Sequence, residues 1–175
     1  MVTLYYLRRF FIYFNELLAE STLETVEVSG ELLDMYNHIH TALKEHQDHL
    51  SGVINDTDRK IILDALGEAA SAFRQKIYNQ SFSGNKSALS INDLKQFVEI
   101  SLQYLEHSIR ANKREDRLYH AYNLMTVEDD AKVSIAHLSE MLEGQVAVLS
   151  SGYLSSQDAL DLLDSLKSSA LFRED

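Results

Sequence analysis

The complete absence of proline is the feature of this sequence that most restricts its fold. The chain has 175 residues and no proline, whereas average usage of about 5% would give roughly nine. Glycine is also scarce, with six residues. Because loops that turn sharply usually recruit both residue types, their scarcity favours long helices joined by polar connectors. The sequence therefore predicts an all-α fold.

Apolar residues spaced three and four apart support this prediction along most of the chain. One stripe of the third predicted helix contains Ile62, Leu66, Ala69, Phe73 and Ile77. Serines suited to helix N-caps, and a glycine suited to a left-handed helix end at Gly152, mark boundaries. The pattern predicts an antiparallel bundle of about six helices. They begin near Val2, Ser29, Asp56, Ser90, Ser134 and Ser155, and the first, second, fourth and fifth end near Ala19, Leu50, Asn112 and Leu149.

The segment before the fifth predicted helix departs from helical spacing. The stretches "YNLMTVE" and "AKVSI" predict a small β-hairpin near 122–135, across Asp129 and Asp130, although that turn lacks its usual glycine. The sequence contains no linker or low-complexity segment, which predicts one domain over 1–175. The last residues, "SSALFRED", follow the sixth helix at once, and we expect the chain to be a segment of a longer protein.

The charge balance excludes several classes of partner. Twenty-seven acidic residues against 16 basic ones give a net charge of −11, which repels phosphate groups. We therefore predict no binding to nucleic acid or to membranes, and no apolar run approaches the roughly 18 residues of a membrane span. The chain has no cysteine, which rules out disulfides and thiolate chemistry and suits a reducing cytoplasm. Cytoplasmic location is the expectation.

Catalytic signatures are missing from the sequence. It contains no glycine-rich phosphate loop, no dinucleotide-binding glycine pattern and no nucleophile-elbow motif. We predict no cofactor and assign no catalytic residue.

The stretch "HIHTALKEHQDHL" raises the question of a metal site. On one helix, Glu31, Asp34, His38, Glu45 and His49 fall within a sector of about 60°. Helical di-metal sites use such inward-facing carboxylates and imidazoles. The apolar face of this helix is centred roughly 100° away, so these side chains are predicted to face water. His46 and His49 suit adventitious chelation only, and no metal site is predicted.

The first predicted helix is apolar on nearly every side. It holds six Phe and Tyr residues, and those predicted to form an interface are Tyr5, Phe10, Phe11, Tyr13 and Phe14. A helix that is apolar almost all round must be covered almost all round. It either runs through the centre of the bundle or docks onto a second chain. We predict that it binds a protein partner or a second copy.

The segment "RANKREDRLYHAY" is the only basic concentration on this acidic chain. Its candidate ligand- or partner-binding residues are Arg110, Arg114, Arg117, Tyr119, His120 and Tyr122. Arginine and tyrosine dominate binding hot spots because they bring contact area and hydrogen bonds together. A structural interpretation is also open, in which the bases complement the helix dipole and pair with Glu115 and Asp116.

Two functional hypotheses follow from these features. The leading one is a helical interaction or scaffolding domain that is part of a larger protein and has no catalysis of its own. The alternative is an accessory helical domain of an enzyme, which contacts an anionic or sugar-like substrate through the segment 110–122.

Overall fold

The protein is described by a computed structural model over residues 1–174. Within this range it is mostly helical, with six α-helices, 61% helical content and two small antiparallel sheets of two strands each. The elements are α1 Val2–Glu20, β1 Thr25–Ser29, α2 Gly30–Glu45, a 3₁₀ helix Gln47–Ser51, α3 Asp56–Gln80, β2 Lys86–Ser90, α4 Ile91–Ala111, β3 Asn123–Glu128, β4 Lys132–His137, α5 Leu142–Ser150 and α6 Ser156–Lys167. The helical prediction is thus confirmed, but the strict all-α class is not. The bundle arrangement stays a prediction.

Local sequence signals account for several helix boundaries. The Ser29 hydroxyl accepts a hydrogen bond from the Leu32 N–H at 3.2 Å and caps α2. Ser155 caps α6 in the same way through the Asp158 N–H at 3.1 Å. Gly152, in the connection that follows α5, has a φ of +68°. A glycine suits this left-handed conformation because it has no Cβ to clash.

The predicted start of the fifth helix is wrong. Ser134 lies in strand β4, and α5 begins only at Leu142. The β-branched residues Val133 and Ile135 favour a strand, and Val133 is fully buried. The apolar spacing before α5 is compatible with a helix from Ser134, but this segment pairs with β3 and forms a strand instead.

The predicted β-hairpin is present as β3 and β4. Its turn places Asp129 and Asp130 at positive φ values of 48° and 53°. The Ala131 N–H donates to the Glu128 carbonyl at 3.0 Å and closes the turn. Two central residues with positive φ define a type I′ turn, whose twist matches that of the flanking strands. Aspartate tolerates this conformation better than most residues, which explains how the turn forms without glycine.

The sheet formed by β1 and β2 is absent from the prediction. The strands pair antiparallel, from Thr25 opposite Ser90 to Ser29 opposite Lys86. Each strand leads directly into a helix, since β1 ends where α2 begins and β2 ends where α4 begins. From sequence, the segment of β2 is indistinguishable from a polar loop because "KSALS" has little strand propensity of its own.

The chain divides into two compact units. Unit 1 contains Met1–Phe14, Leu102–Thr126 and the residues from Ser134 onward, and unit 2 contains Asn15–Ser101 and Val127–Val133. The two units are distinguished by the contacts that their residues make in the folded chain, and such contacts do not test whether each unit folds on its own. Whether 1–175 folds as one domain stays a prediction.

Unit 1 has a well-defined apolar core. Its buried residues are Tyr5, Ile109, Leu118, Tyr119, Ala147, Val148 and Leu162. Gly144 packs against Ala121, and a Cβ built on this glycine lies 3.0 to 3.1 Å from Ala121 atoms. This close approach explains why a glycine stands inside α5.

Unit 2 is built on the packing of α2 against α3. The rings of Tyr36, His40 and Phe97 cluster in it, with the Tyr36 and Phe97 centroids 5.2 Å apart. The Tyr36 hydroxyl donates to the Asp93 carbonyl at 2.8 Å. This contact ties α2 to the first turn of α4.

Candidate interaction face and the basic segment

Helix α1 carries an exposed apolar row along one side. Tyr6, Phe10, Tyr13 and Leu17 are 46%, 53%, 57% and 44% exposed. At 3.6 residues per turn their alternating four- and three-residue spacing places them within a sector of about 60°. We refer to these four residues as the α1 stripe.

The opposite side of α1 is held in place by buried contacts. Tyr5 is fully buried, and its hydroxyl donates to the His120 carbonyl at 3.2 Å. Arg8 is 8% exposed and donates to Glu106 Oε1 through Nε at 3.0 Å and Nη2 at 2.7 Å. Its Nη1 donates to the Ser151 carbonyl at 2.8 Å. Within unit 1 these contacts fix the rotation of Met1–Phe14 about the helix axis and leave Tyr6, Phe10 and Tyr13 facing outward.

The five aromatic residues predicted as an interface divide between the two sides. Tyr5 is in the core rather than in an exposed stripe. Phe10 and Tyr13 are exposed, and Phe11 and Phe14 are half-buried. The rings of Phe10 and Phe14 stack with centroids 5.8 Å apart and planes 10° apart. Their role as an interface stays a prediction.

Sequence reasoning missed part of the exposed surface. Tyr6, Leu7 and Leu17 are 46%, 41% and 44% exposed and are not among the predicted interface residues. The signal that finds Tyr6 and Leu17 is heptad-like spacing, because the four residues of the α1 stripe follow the pattern of a coiled-coil seam. Counting aromatic residues alone does not detect that pattern.

The basic segment pairs its charges with acids of unit 1. The Arg114 guanidinium donates to Asp116 through Nε at 3.0 Å and Nη2 at 2.8 Å, and Nη2 lies 3.6 Å from Glu140. Arg117 donates to Asp161 at 3.2 Å. The hydrogen bonds from Arg114 lower the pKa of the Asp116 carboxyl. Arg110 is exposed at the end of α4.

The aromatic part of this segment is anchored rather than open. Tyr119 is 2% exposed, and burial raises the pKa of its hydroxyl to about 12. Tyr122 is exposed, but its hydroxyl donates to Glu143 at 2.7 Å. Glu143 thereby raises the Tyr122 pKa. The binding of a ligand by these residues stays a prediction.

His120 forms a close pair with a histidine of the hairpin. Its ring stacks on that of His137 with centroids 3.8 Å apart and planes 6° apart. Burial, and then the neighbouring His137 and Arg114, lower the pKa of His120. The His137 ring is held by a 3.0 Å contact between Nδ1 and Asn123 Oδ1. The pair is consistent with a neutral His120 at pH 7.

The carboxylates and histidines that were predicted to share one water-facing sector of a helix include Glu31, and the prediction is wrong for this residue. This residue is 3% exposed instead of facing water, because Oε1 accepts a hydrogen bond from the Ser83 N–H at 2.9 Å. Hydrogen bonds from Ser83 lower the pKa of Glu31 to about 2. His38 is exposed, and His49 lies in the 3₁₀ helix, where it contacts Asp58 at 3.3 Å. These side chains therefore do not form a continuous row along one helix.

The described part of the chain has neither a metal-binding cluster nor a membrane-spanning helix. Within residues 1–174, no group of three or more His, Asp or Glu side chains is arranged to hold a metal ion. None of the helices in that range is long and apolar enough to cross a membrane.

Unit 1 has an open depression of about 240 Å³ beside α1. Its lining residues are Arg8, Arg9, Ile12, Ser150, Ser151 and Gly152. Arg8 already donates to Glu106 and Ser151, and Arg9 donates to Ser150 Oγ at 3.0 Å. The Glu106 carboxylate compensates the positive charge of Arg8, whereas the contact of Arg9 is with a neutral hydroxyl, which does not neutralise its charge.

Comparison with known proteins provides no functional assignment. No protein-family model and no curated protein matches this chain. Any functional conclusion therefore depends on the exposed and buried chemistry of the chain itself.

Proposed function

We propose that this chain is a helical interaction or scaffolding domain whose α1 stripe binds protein. The observation that carries this proposal is the row of three aromatic side chains and one leucine that is about half exposed, on the side of α1 opposite its buried contacts. Surface helices normally place such residues against the core and polar residues outside. On α1 an apolar row also lies outside.

The size of the row supports binding rather than chance exposure. Half-exposed aromatic residues and one leucine leave roughly 400 Å² of apolar surface open, given 150–250 Å² per aromatic side chain. That area is comparable to the largest apolar patch on a typical monomer, which is often functional. Tyrosine suits a reversible interface because its ring buries area while its hydroxyl stays hydrated or hydrogen-bonded.

The alternative hypothesis, an enzyme accessory domain that uses the segment 110–122, has less support. Arg114 and Arg117 face acids in unit 1, and Tyr119 is buried. An anionic substrate would have to displace Asp116 from a two-point hydrogen bond with Arg114. The lack of cysteine keeps the cytoplasm as the expected location.

Site-specific photo-crosslinking in the cells that express the chain tests this proposal. A benzophenone amino acid replaces Tyr13 in one variant and Tyr78 in the control. Tyr78 lies on α3 and is 82% exposed, so it is at least as accessible as Tyr13 but lies outside the α1 stripe. We expect a discrete protein adduct from position 13 and none from position 78. The absence of an adduct at position 13, or the same adducts at both positions, contradicts the proposal.

A further inference from the structure

The residues beside the α1 stripe carry information about what covers it. Viewed along the helix, Arg9 and Glu16 lie on one flank, and Leu7 and Phe14 lie on the other. In heptad terms, Phe10 and Leu17 occupy a positions, and Tyr6 and Tyr13 occupy d positions. One flank is therefore charged with both signs, and the other flank is apolar.

This distribution fits a second copy of the same helix when the two run antiparallel. Placing Phe10 opposite Tyr13 of the second copy brings Arg9 opposite the second Glu16. The two-fold symmetry repeats this pair, so two ion pairs form on the charged flank. On the other flank, Leu7 then faces Phe14 of the second copy. Every flanking residue meets a partner of matching chemistry.

A parallel arrangement does not give this match. In a parallel pair, the residue just before an a position of one helix faces the residue just after a d position of the other helix. Here Arg9 and Glu16 are of the first kind, and Leu7 and Phe14 are of the second. Arg9 would then face Phe14 of the second copy, and Glu16 would face a residue beyond the helix end at Glu20. An apolar ring would stand against a guanidinium, and no ion pair would form.

We propose that the α1 stripe is occupied by a second copy of this chain, packed antiparallel with Arg9 of each copy opposite Glu16 of the other. This inference rests on the proposed function and specifies its partner. Arg9 and Glu16 are both exposed, and one Arg9 nitrogen contacts Ser150 Oγ at 3.0 Å. A guanidinium has five N–H donors, so the others remain free to reach a carboxylate.

The area of such a contact limits its strength. Two stripes with their apolar flanks bury roughly 1,000 Å² in total, which is the low end for a specific interface. We therefore expect a reversible dimer with a dissociation constant on the order of 10–100 µM. The net charge of −11 on each copy opposes association further at low salt.

Charge-reversed variants test the pairing by sedimentation equilibrium. Arg9→Glu places two carboxylates opposite each other, and Glu16→Arg places two guanidinium groups opposite each other. Each variant alone should therefore associate roughly tenfold more weakly than the wild type. An equimolar mixture of the two variants, and the double variant, should recover the wild-type association. Ser150→Ala, which removes only the contact of Arg9 with Ser150, is the control and should leave association unchanged.

A distance measurement tests the orientation independently. Because the chain has no cysteine, Ala19→Cys accepts a single spin label at an exposed site of α1 that lies outside the α1 stripe. In the antiparallel dimer the two labelled positions lie about 22 Å apart along the helix axis. In a parallel dimer they lie at the same height, about 15 Å apart across the two helices.

The outcomes separate this inference from the proposed function. Recovery in the mixture together with the long distance supports the antiparallel dimer. A dimer that ignores the charge reversals, or labels at the short distance, overturns it. A monomer at all concentrations also overturns it, but the proposed function then survives if position 13 still crosslinks to a different protein.

Discussion

The side-chain amide of Gln145 forms two hydrogen bonds with the backbone of Tyr119. Its Oε1 accepts from the Tyr119 N–H at 2.9 Å, and its Nε2 donates to the Tyr119 carbonyl at 2.8 Å. Both residues are buried, at 0% and 2% exposure. The amide thus satisfies two backbone groups that water does not reach, and it fixes the segment that follows α4 onto α5.

We predict that Gln145→Leu strongly destabilises the chain. The leucine keeps a similar volume but leaves two buried backbone groups of Tyr119 without partners, each costing about 1–3 kcal/mol. The free energy of unfolding should fall by about 2–5 kcal/mol in urea denaturation. The matched control is Gln157→Leu, which removes an exposed side chain that donates to Asp161, and the expected change there is within about 0.5 kcal/mol. Equal effects at both positions contradict this account.

Two glycines inside helices should respond oppositely to alanine. At Gly144 the new Cβ meets Ala121 backbone atoms at 3.1 Å, and we expect a loss of about 1–3 kcal/mol. At Gly67 nothing lies within 4 Å, so alanine should stabilise α3 by about 0.5–1 kcal/mol. Thermal unfolding of both variants checks the signs. A stabilised Gly144→Ala protein would show that α5 does not depend on this close approach.

The type I′ turn of the hairpin provides a stabilising prediction. Asp129 and Asp130 both have positive φ, and glycine adopts that conformation at no steric cost. Asn-Gly is the preferred pair in this turn, so the double variant Asp129→Asn, Asp130→Gly should raise the free energy of unfolding by about 0.5–1 kcal/mol. Urea denaturation measures the change. A decrease means that the turn does not have this geometry in solution.

Helix positions were largely predictable because their signals are local. Three- and four-residue spacing, and the capping serines Ser29 and Ser155, lie within a few residues of the boundaries that they define. The pairing of β1 with β2 was not predictable in this way. This pairing places Thr25 opposite Ser90, and no local sequence pattern indicates which distant segment pairs with a strand of five residues.

The candidate interface shows the same limit at the level of single residues. The sequence identified α1 as unusually aromatic, but it assigned Tyr5 to the interface and left out Tyr6, whereas Tyr5 is buried and Tyr6 is 46% exposed. Which of the two is buried depends on contacts with distant residues of unit 1, such as the core residue Ile109. Arg8 is almost fully buried, although arginine is usually exposed. Its guanidinium can be buried because it donates hydrogen bonds to Glu106 and to the Ser151 carbonyl.

The environment of His40 predicts how the free energy of unfolding depends on pH. Burial, and then Lys44, lower the pKa of this residue, and its Nε2 has no hydrogen-bond partner within residues 1–174. The Tyr36 hydroxyl donates to Asp93, so its contact with His40 Nδ1 at 3.3 Å has the imidazole N–H as donor. The neutral ring is therefore favoured in the folded chain.

The sign of the pH dependence follows from this lowered pKa. As the pH falls below the unfolded value of about 6.5, the unfolded chain binds a proton that the folded chain does not. His40 should therefore reduce the free energy of unfolding on acidification, by at most about 1.4 kcal/mol per pH unit. Urea denaturation from pH 7.5 to 5 should show a shallower decline for His40→Gln than for the wild type. His38→Gln, on the exposed side of the same helix, is the control and should follow the wild type, and equal slopes in all three proteins contradict the prediction.

Sedimentation equilibrium over about 5–500 µM is the most direct test of the central claim, which is that the α1 stripe packs against a second copy of this chain. The range brackets the dissociation constant expected for this contact area. We predict a reversible monomer–dimer equilibrium for the wild type and for the control Tyr78→Glu. We predict a monomer throughout for Phe10→Glu, Tyr13→Glu, since each glutamate would bring an unpaired charge into the seam. Circular dichroism should be the same for all three proteins. A wild type that remains monomeric, or a double variant that dimerises as strongly as the wild type, contradicts the claim.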